Sequence, residues 1–309
     1  MNFNSNSIDI DWSYLLDRVE HLMDLGEEFL TRKLAEYQFD PALLESIIAW
    51  RWQQENQSGY LHPIVHPDLP DHADLLGIDP VLIRLRQNTR QFVHRLPANN
   101  VLLWGARGTG KSSAVKGLLG EFAGAGLRLV EVRKEDLFQL SAITELLRPH
   151  PYRFILFCDD LSFDESEVDY RELKALLEGG IEARPENLLI YATSNRRHLM
   201  PERLSDNTGG EEIHPEEAIA EKISLSDRFG ITLGFYPTTQ ENYLEIVRHL
   251  AHGRKLPIGE AELAAEALEW AMLRGARSGR VARQFIDDLT GRLLLPEKPK
   301  KPRRKLKSR

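Results

Sequence analysis

Apolar residues first recur at helical spacing. Trp12, Leu15, Leu16, Val19, Leu22 and Met23 fall on one helix face, with Asp11 placed to cap it. Asp40-Pro41 then opens a second helix through Leu43, Leu44, Ile47 and Ile48 and on toward Trp52. The stretch from Ser58 to Asp71 carries Gly59, Pro63, Pro67 and Pro70 and reads as a linker. Its His62 and His66 are each followed by proline, which argues against a shared helix face and against a metal site there.

The pattern changes at Leu75. Val101 to Trp104, Leu127 to Val132, Phe154 to Cys158, Leu188 to Ala192 and Ile231 to Phe235 are short runs, apolar at nearly every position. Such runs are the mark of parallel strands covered on both faces by helices. Helical segments lie between them, including Ser112 to Phe122 and Tyr170 to Glu178, with a polar loop at Ser205 to Gly210. Beyond Pro237 the chain reads as purely helical. Thr238 or Thr239 caps a helix through Tyr243, Ile246, Val247 and Leu250, and Pro257-Ile258-Gly259 breaks it. Two more helices follow, through Leu263, Ala267, Leu268 and Met272, then through Val281, Phe285, Ile286 and Leu289. The predicted organisation is a helical region at 1–74, an α/β domain at 75–237, a helical bundle at 238–295 and a basic tail at 296–309.

Composition narrows the class. An apolar fraction of 42% suits a globular core, and no apolar run is long enough to span a membrane. The first residues are polar and lack the basic start of a signal peptide. The single cysteine, Cys158, cannot form an internal disulfide, so a reducing compartment, the cytoplasm, is expected. Glu297 to Arg309 holds eight Lys or Arg against one Glu; this net +7, set against the chain's −7, leaves −14 on the rest. A basic tail on an acidic body reads as a solvated tail or as a contact for nucleic acid.

The chemistry concentrates in Gly105-Ala106-Arg107-Gly108-Thr109-Gly110-Lys111-Ser112, which fits the phosphate-binding pattern G-x-x-x-x-G-K-[ST] between a strand and a helix. Its glycines let successive amides, on to Ser113, face phosphate oxygens at a helix N-terminus. Lys111 is expected to reach the β- and γ-phosphates, and Ser112 to ligate Mg²⁺. Asp159 and Asp160 emerge at the end of the strand Phe154 to Cys158. Asp159 is the expected metal partner, and Asp160 the residue that orients water. Asn195 follows the next strand and can hold a water near the terminal phosphate. Arg228 is either a local partner of Asp227 or a group that projects into a neighbouring subunit's nucleotide. Arg277, Arg280 and Arg283 lie at the start of the last helix, where cations are mildly unfavourable without an anion.

With these residues in place, Leu75 to Leu289 resembles an AAA+ ATPase, and more closely a bacterial family of AAA+ ATP-binding proteins whose cellular role is not established. The phrases that carry the likeness are Leu96 to Val101 running into the phosphate loop, Val132 to Leu137, Tyr152 to Asp160, Leu188 to Arg197 and Leu225 to Gly230. The resemblance implies a five-stranded parallel sheet of order 5-1-4-3-2 with a helical lid. It also implies that Asn195 is sensor 1, that Arg228 is an arginine finger acting in trans, and that Arg280, ahead of Arg283, is sensor 2. Leu76 to Asp79, with Ile78 foremost, would line the adenine pocket. Asp160 departs from the usual Glu. The expected function is hydrolysis of ATP with Mg²⁺ in a homo-oligomer that remodels a protein or nucleic-acid client. The alternatives are an ATP-gated binding module with little hydrolysis and a nucleic-acid loader.

Overall fold

Alternation inside each apolar run decides how the middle of the chain folds. Val101 and Leu103 point to one side of the sheet and Leu102 to the other. Phe154, Leu156 and Cys158 oppose Ile155 and Phe157, and Leu188, Ile190 and Ala192 oppose Leu189 and Tyr191. Both sets are buried, so each strand needs cover on two faces. The computed structural model describes residues 12–36, 39–55, 58–162, 173–174, 176–177, 185–197, 199 and 226–295. In chain order its elements are α1 (Trp12–Glu36), α2 (Leu43–Ser46), β1 (Ala49–Glu55), β2 (Ser58–Pro63), α3 (Asp79–Val93), β3 (Val101–Gly105), α4 (Lys111–Phe122), β4 (Leu127–Glu131), α5 (Leu140–Leu147), β5 (Arg153–Cys158), β6 (Leu188–Ser194), β7 (Ile231–Phe235), α6 (Gln240–Gly253), α7 (Glu260–Arg274) and α8 (Gly279–Leu294). The expected cap Asp11, the loop Ser205 to Gly210, the basic tail and most of the helix Tyr170 to Glu178 lie outside the described residues.

The strands form one sheet in the order β2-β1-β4-β5-β6-β3-β7. Numbered among themselves, β3 to β7 stand in the order 5-1-4-3-2, all parallel, as the AAA+ resemblance implies. The sheet has seven strands rather than five, because residues expected to be helix and linker form an edge hairpin instead. β1 runs parallel to β4 and antiparallel to β2. The reason is a period of two hidden in an aromatic cluster. Trp50 and Trp52 both enter the core, while Arg51 between them pairs with Glu131 at 2.6 Å. The Trp52 ring lies where a side chain at Gly59 would have to be, so β2 can pass only with glycine there. Buried Arg128 then fastens the hairpin's approach, donating to the carbonyls of Leu44 at 2.6 Å and Glu45 at 3.3 Å. α2 accordingly stops after four residues.

α3 and α4 cover one face of the sheet, and α5 with Leu161, Leu173 and Leu199 covers part of the other. The pair Asn99-Asn100 sets the start of β3. Asn99 exchanges hydrogen bonds with Asn88 on α3, and Asn100 Oδ1 accepts from the Ile190 amide on β6. Thr239 caps α6 and Ser278 caps α8, each accepting from an amide three residues on. The three C-terminal helices share a core of their own, including Tyr243, Val247, Ala267 and Phe285, and Leu76 from the strand domain packs against it. α1 forms at the expected place with Trp12, Leu15, Leu16, Val19, Leu22 and Met23 exposed. Among the described residues no helix is long and apolar enough to cross a membrane.

Candidate nucleotide site

The phosphate loop takes its shape from three glycines with positive φ: Gly105 at 136°, Gly108 at 77° and Gly110 at 101°. Two of them also meet a close neighbour. A Cβ on Gly105 would collide with the carbonyl oxygen of Phe235 on β7, and one on Gly108 would stand 2.8 Å from Ser278 Oγ. Gly110 is the residue before α4, so the loop ends on that helix's free amides. Lys111, only 7% exposed, is folded back into the loop. Its ammonium donates to the carbonyls of Gly105 and Ala106, both at 2.8 Å, and to Asn195 Oδ1 at 3.2 Å. Burial holds its pKa below the ordinary value; Asp160 and Asp159 oppose the shift, and Arg280 and Arg107 add to it.

The acidic end of β5 is tied to this loop and to β6. Ser112 Oγ donates to Asp159 Oδ1 at 2.7 Å, and Thr193 Oγ1 donates to the same oxygen at 2.6 Å. The Thr193 hydroxyl also accepts from the Asp160 amide at 2.8 Å, so one buried group orders both acids. Asp160 adopts φ 55°, a left-handed conformation that Asp tolerates better than longer side chains. Its carboxylate accepts from Asn195 Nδ2, and Arg107 lies 3.9 Å away. Asn195 thus bridges Lys111 and Asp160.

These groups border a cavity of about 860 Å³ between the strand ends and the C-terminal helices. Of the residues expected to touch a nucleotide, Ile78, Arg107 to Ser113, Asp159, Asp160, Asn195 and Arg280 line it, as does Arg283. Gly105 and Ala106 do not line it, and serve through their carbonyls. α8 begins against the loop, where the Arg280 amide donates to the Gly108 carbonyl at 3.3 Å. Arg228 stands apart from the cavity, in the turn before β7, whose five residues span about 17 Å.

Several lining residues carried no sequence signal that tied them to the site. Thr193 looks like any strand threonine until the β5–β6 register, Cys158 beside Ala192, sets it next to Asp159. Asp74, Tyr236, Thr239, Asn242 and Leu250 come from segments flanking the recognisable motifs. Asp74 is paired with His249 at 2.7 Å, joining the segment before α3 to α6.

No curated protein matches the chain. Residues 45–293 match the family described as Protein of unknown function (DUF815). Among solved structures the chain is similar to the Thermotoga maritima RuvB Holliday junction branch migration motor, at 15% identity over 71% of each chain with a TM-score of 0.44. It is also similar to the FIGL-1 AAA domain in complex with ADP, at 18% identity over 72% of this chain and 86% of that one, with a TM-score of 0.43.

Proposed function

The chain belongs to the DUF815 family, and we propose that this member is an Mg²⁺-dependent ATPase that works as an oligomer. One observation carries the reading: Ser112 Oγ and Asp159 Oδ1 meet at 2.7 Å beside the buried Lys111 ammonium, at the mouth of a complete phosphate loop. A hydroxyl and a carboxylate that converge in this way suit a hard cation with oxygen ligands, and Ser112 and Asp159 would hold it. When bound, Mg²⁺ supplies neutralising charge for the β- and γ-phosphate oxygens.

The chain's own groups do the rest. The loop amides and Lys111 bind the phosphates and stabilise charge in the transition state. Asp160 and Asn195 orient a water on the γ-phosphorus. As the water's oxygen bonds to phosphorus, the bond to the β–γ bridging oxygen breaks, ADP keeps that electron pair, and the water's proton passes to the Asp160 carboxylate. Arg228 lies too far along β7 to serve its own cavity, which supports a role in a neighbouring subunit's site; such an arginine is worth about 10³ to 10⁵ in rate. α6 to α8 act as a lid, with Arg280 reading the phosphates. The client is a macromolecule, and the basic tail would be the contact if that client is nucleic acid.

A second reading has support of its own. The Asp160 carboxylate is engaged by Asn195, and Asp is one methylene shorter than Glu, which favours a nucleotide-gated module with slow turnover. Steady-state hydrolysis across a range of protein concentrations, with Lys111→Ala beside it, decides between them. Turnover per subunit that rises with concentration and vanishes in the variant is the expected result. ATP binding without turnover at any concentration would replace the ATPase by the module.

A further inference from the structure

The cavity has a second, apolar end that the phosphate chemistry does not use. Leu75 and Ile78 reach over the phosphate loop, each with a side-chain carbon 3.8 Å from where a Cβ on Gly110 would be. Facing them, Asn242, Ile246 and Leu250 recur four apart along α6 and line the same cavity. Gly77 closes the gap between the two walls. It has φ 78°, and a Cβ there would stand 3.1 Å from Asn242 Nδ2, so the amide of Asn242 lies directly against this turn.

Two other polar side chains near Asn242 are committed elsewhere. Thr239 Oγ1 accepts from the Asn242 backbone amide as the α6 cap, and Asp74 is paired with His249. The side-chain amide of Asn242 forms no hydrogen bond with another described residue. An apolar slot with one uncommitted donor–acceptor pair is how proteins orient a flat heterocycle. The slot adjoins the phosphate loop at Gly110 and opens into the same cavity, within reach of the base of a nucleotide whose phosphates sit in the loop.

Resting on the ATPase reading above, we propose that Asn242 is the specificity residue of this site, reading the edge of an adenine base held between Ile78 and the α6 stripe. An asparagine amide presents one donor and one acceptor side by side. This pair matches adenine, which offers the N6 amino group beside a ring-nitrogen acceptor, and such bidentate contacts separate right from wrong bases about tenfold or better.

The test is competition binding of ATP, GTP and inorganic tripolyphosphate to the full chain and to Asn242→Ala and Asn242→Asp. The parent is expected to prefer ATP over GTP by about tenfold or more, and Asn242→Ala to lose most of that preference. Asn242→Asp keeps the acceptor and loses the donor, so it should shift the ratio toward GTP, whose N1 and N2 groups both donate. Tripolyphosphate should bind all three proteins alike. An Asn242→Ala ratio equal to the parent's overturns the proposal, as does a parent that binds ATP and GTP equally. Parallel loss of tripolyphosphate and ATP binding in both variants makes Asn242 a structural residue and also overturns it. A parent that binds none of the three ligands removes the ATPase reading itself.

Discussion

The two ends of the cavity are built in different ways. At the phosphate end the frame is local. Strand, loop and helix follow one another from Val101 to Phe122, and the polar groups are already bonded among themselves, Lys111 to its own loop and Asp159 to Ser112 and Thr193. At the apolar end the walls come from segments far apart in the chain, Gly77 and Ile78 on one side and α6 on the other. They are joined by packing and by the contact of Asp74 with His249. The difference teaches how such a site divides its work. A pre-bonded end supplies fixed electrostatics with little reorganisation. An end whose walls are joined by packing is the kind that other enzymes close over a ligand, and the proposed base reading by Asn242 would use it.

The comparison can be broken in order of effect. The largest is expected from Gly105→Ala, because the added methyl meets the Phe235 carbonyl at a φ that alanine rarely adopts. Strain and overlap together should remove about 3 kcal/mol or more of stability. An unchanged urea midpoint would show that the phosphate end is not rigid. Lys111→Ala should lower ATP affinity by about 100-fold, since a buried ammonium among carbonyls has no substitute. Calorimetric affinities within a few-fold of the parent would detach Lys111 from the phosphates.

Next comes Thr193→Val, which leaves the Asp160 amide unsatisfied and removes one of the two hydroxyl donors to Asp159 Oδ1. Hydrolysis should fall about tenfold, in line with an unmet buried hydrogen bond, and Thr193→Ser should restore it. Equal rates for Val and Ser would make the hydroxyl irrelevant. Gly77→Ala acts at the other end. It should weaken ATP about fivefold through left-handed strain and a narrowed slot, while tripolyphosphate binding stays the same. Equal losses for both ligands would mean that the two ends are not separable.

The smallest effect is a matter of accessibility. Burial raises the Cys158 thiol from its ordinary 9.0 to about 12. The folded chain therefore holds that proton more tightly than the unfolded chain. The associated stability is complete below about pH 9 and fades as pH rises toward 12. At pH 8 a thiol reagent should react only when urea unfolds the chain, and rapid native labelling would contradict the buried β5.

What the sequence disclosed follows the same division. The phosphate loop, the acids after β5 and Asn195 after β6 each lie within a few residues of an apolar strand, so local pattern was enough to place them. β3 to β6 were visible because each is buried on both faces, and β7 because Ile231, Leu233 and Phe235 alternate onto the core. The edge hairpin was not, because Ile47, Ile48, Ala49 and Trp50 run together as an apolar block that a helix fits equally well. Only its pairing with β4, some 80 positions away, selects the strand. Thr193 and Asn242 were missed for a related reason. Their partners, Asp159 and Gly77, are brought beside them by sheet register and by helix packing, and neither process leaves a mark on neighbouring residues.

The position of β3 has a consequence for the order of assembly. Val101 pairs with Tyr191 on one side and with Ile231 on the other, so the strand that carries the phosphate loop is synthesised 90 residues ahead of one neighbour and 130 ahead of the second. Contacts so distant in the chain close slowly. Until β7 emerges, the growing polypeptide presents β3 as an open apolar edge, and Gly105 lacks the Phe235 carbonyl that shapes it. The site is thus completed late in synthesis, and a nascent chain stalled before Ile231 still carries the phosphate-loop strand with one unpaired edge, a feature that favours aggregation.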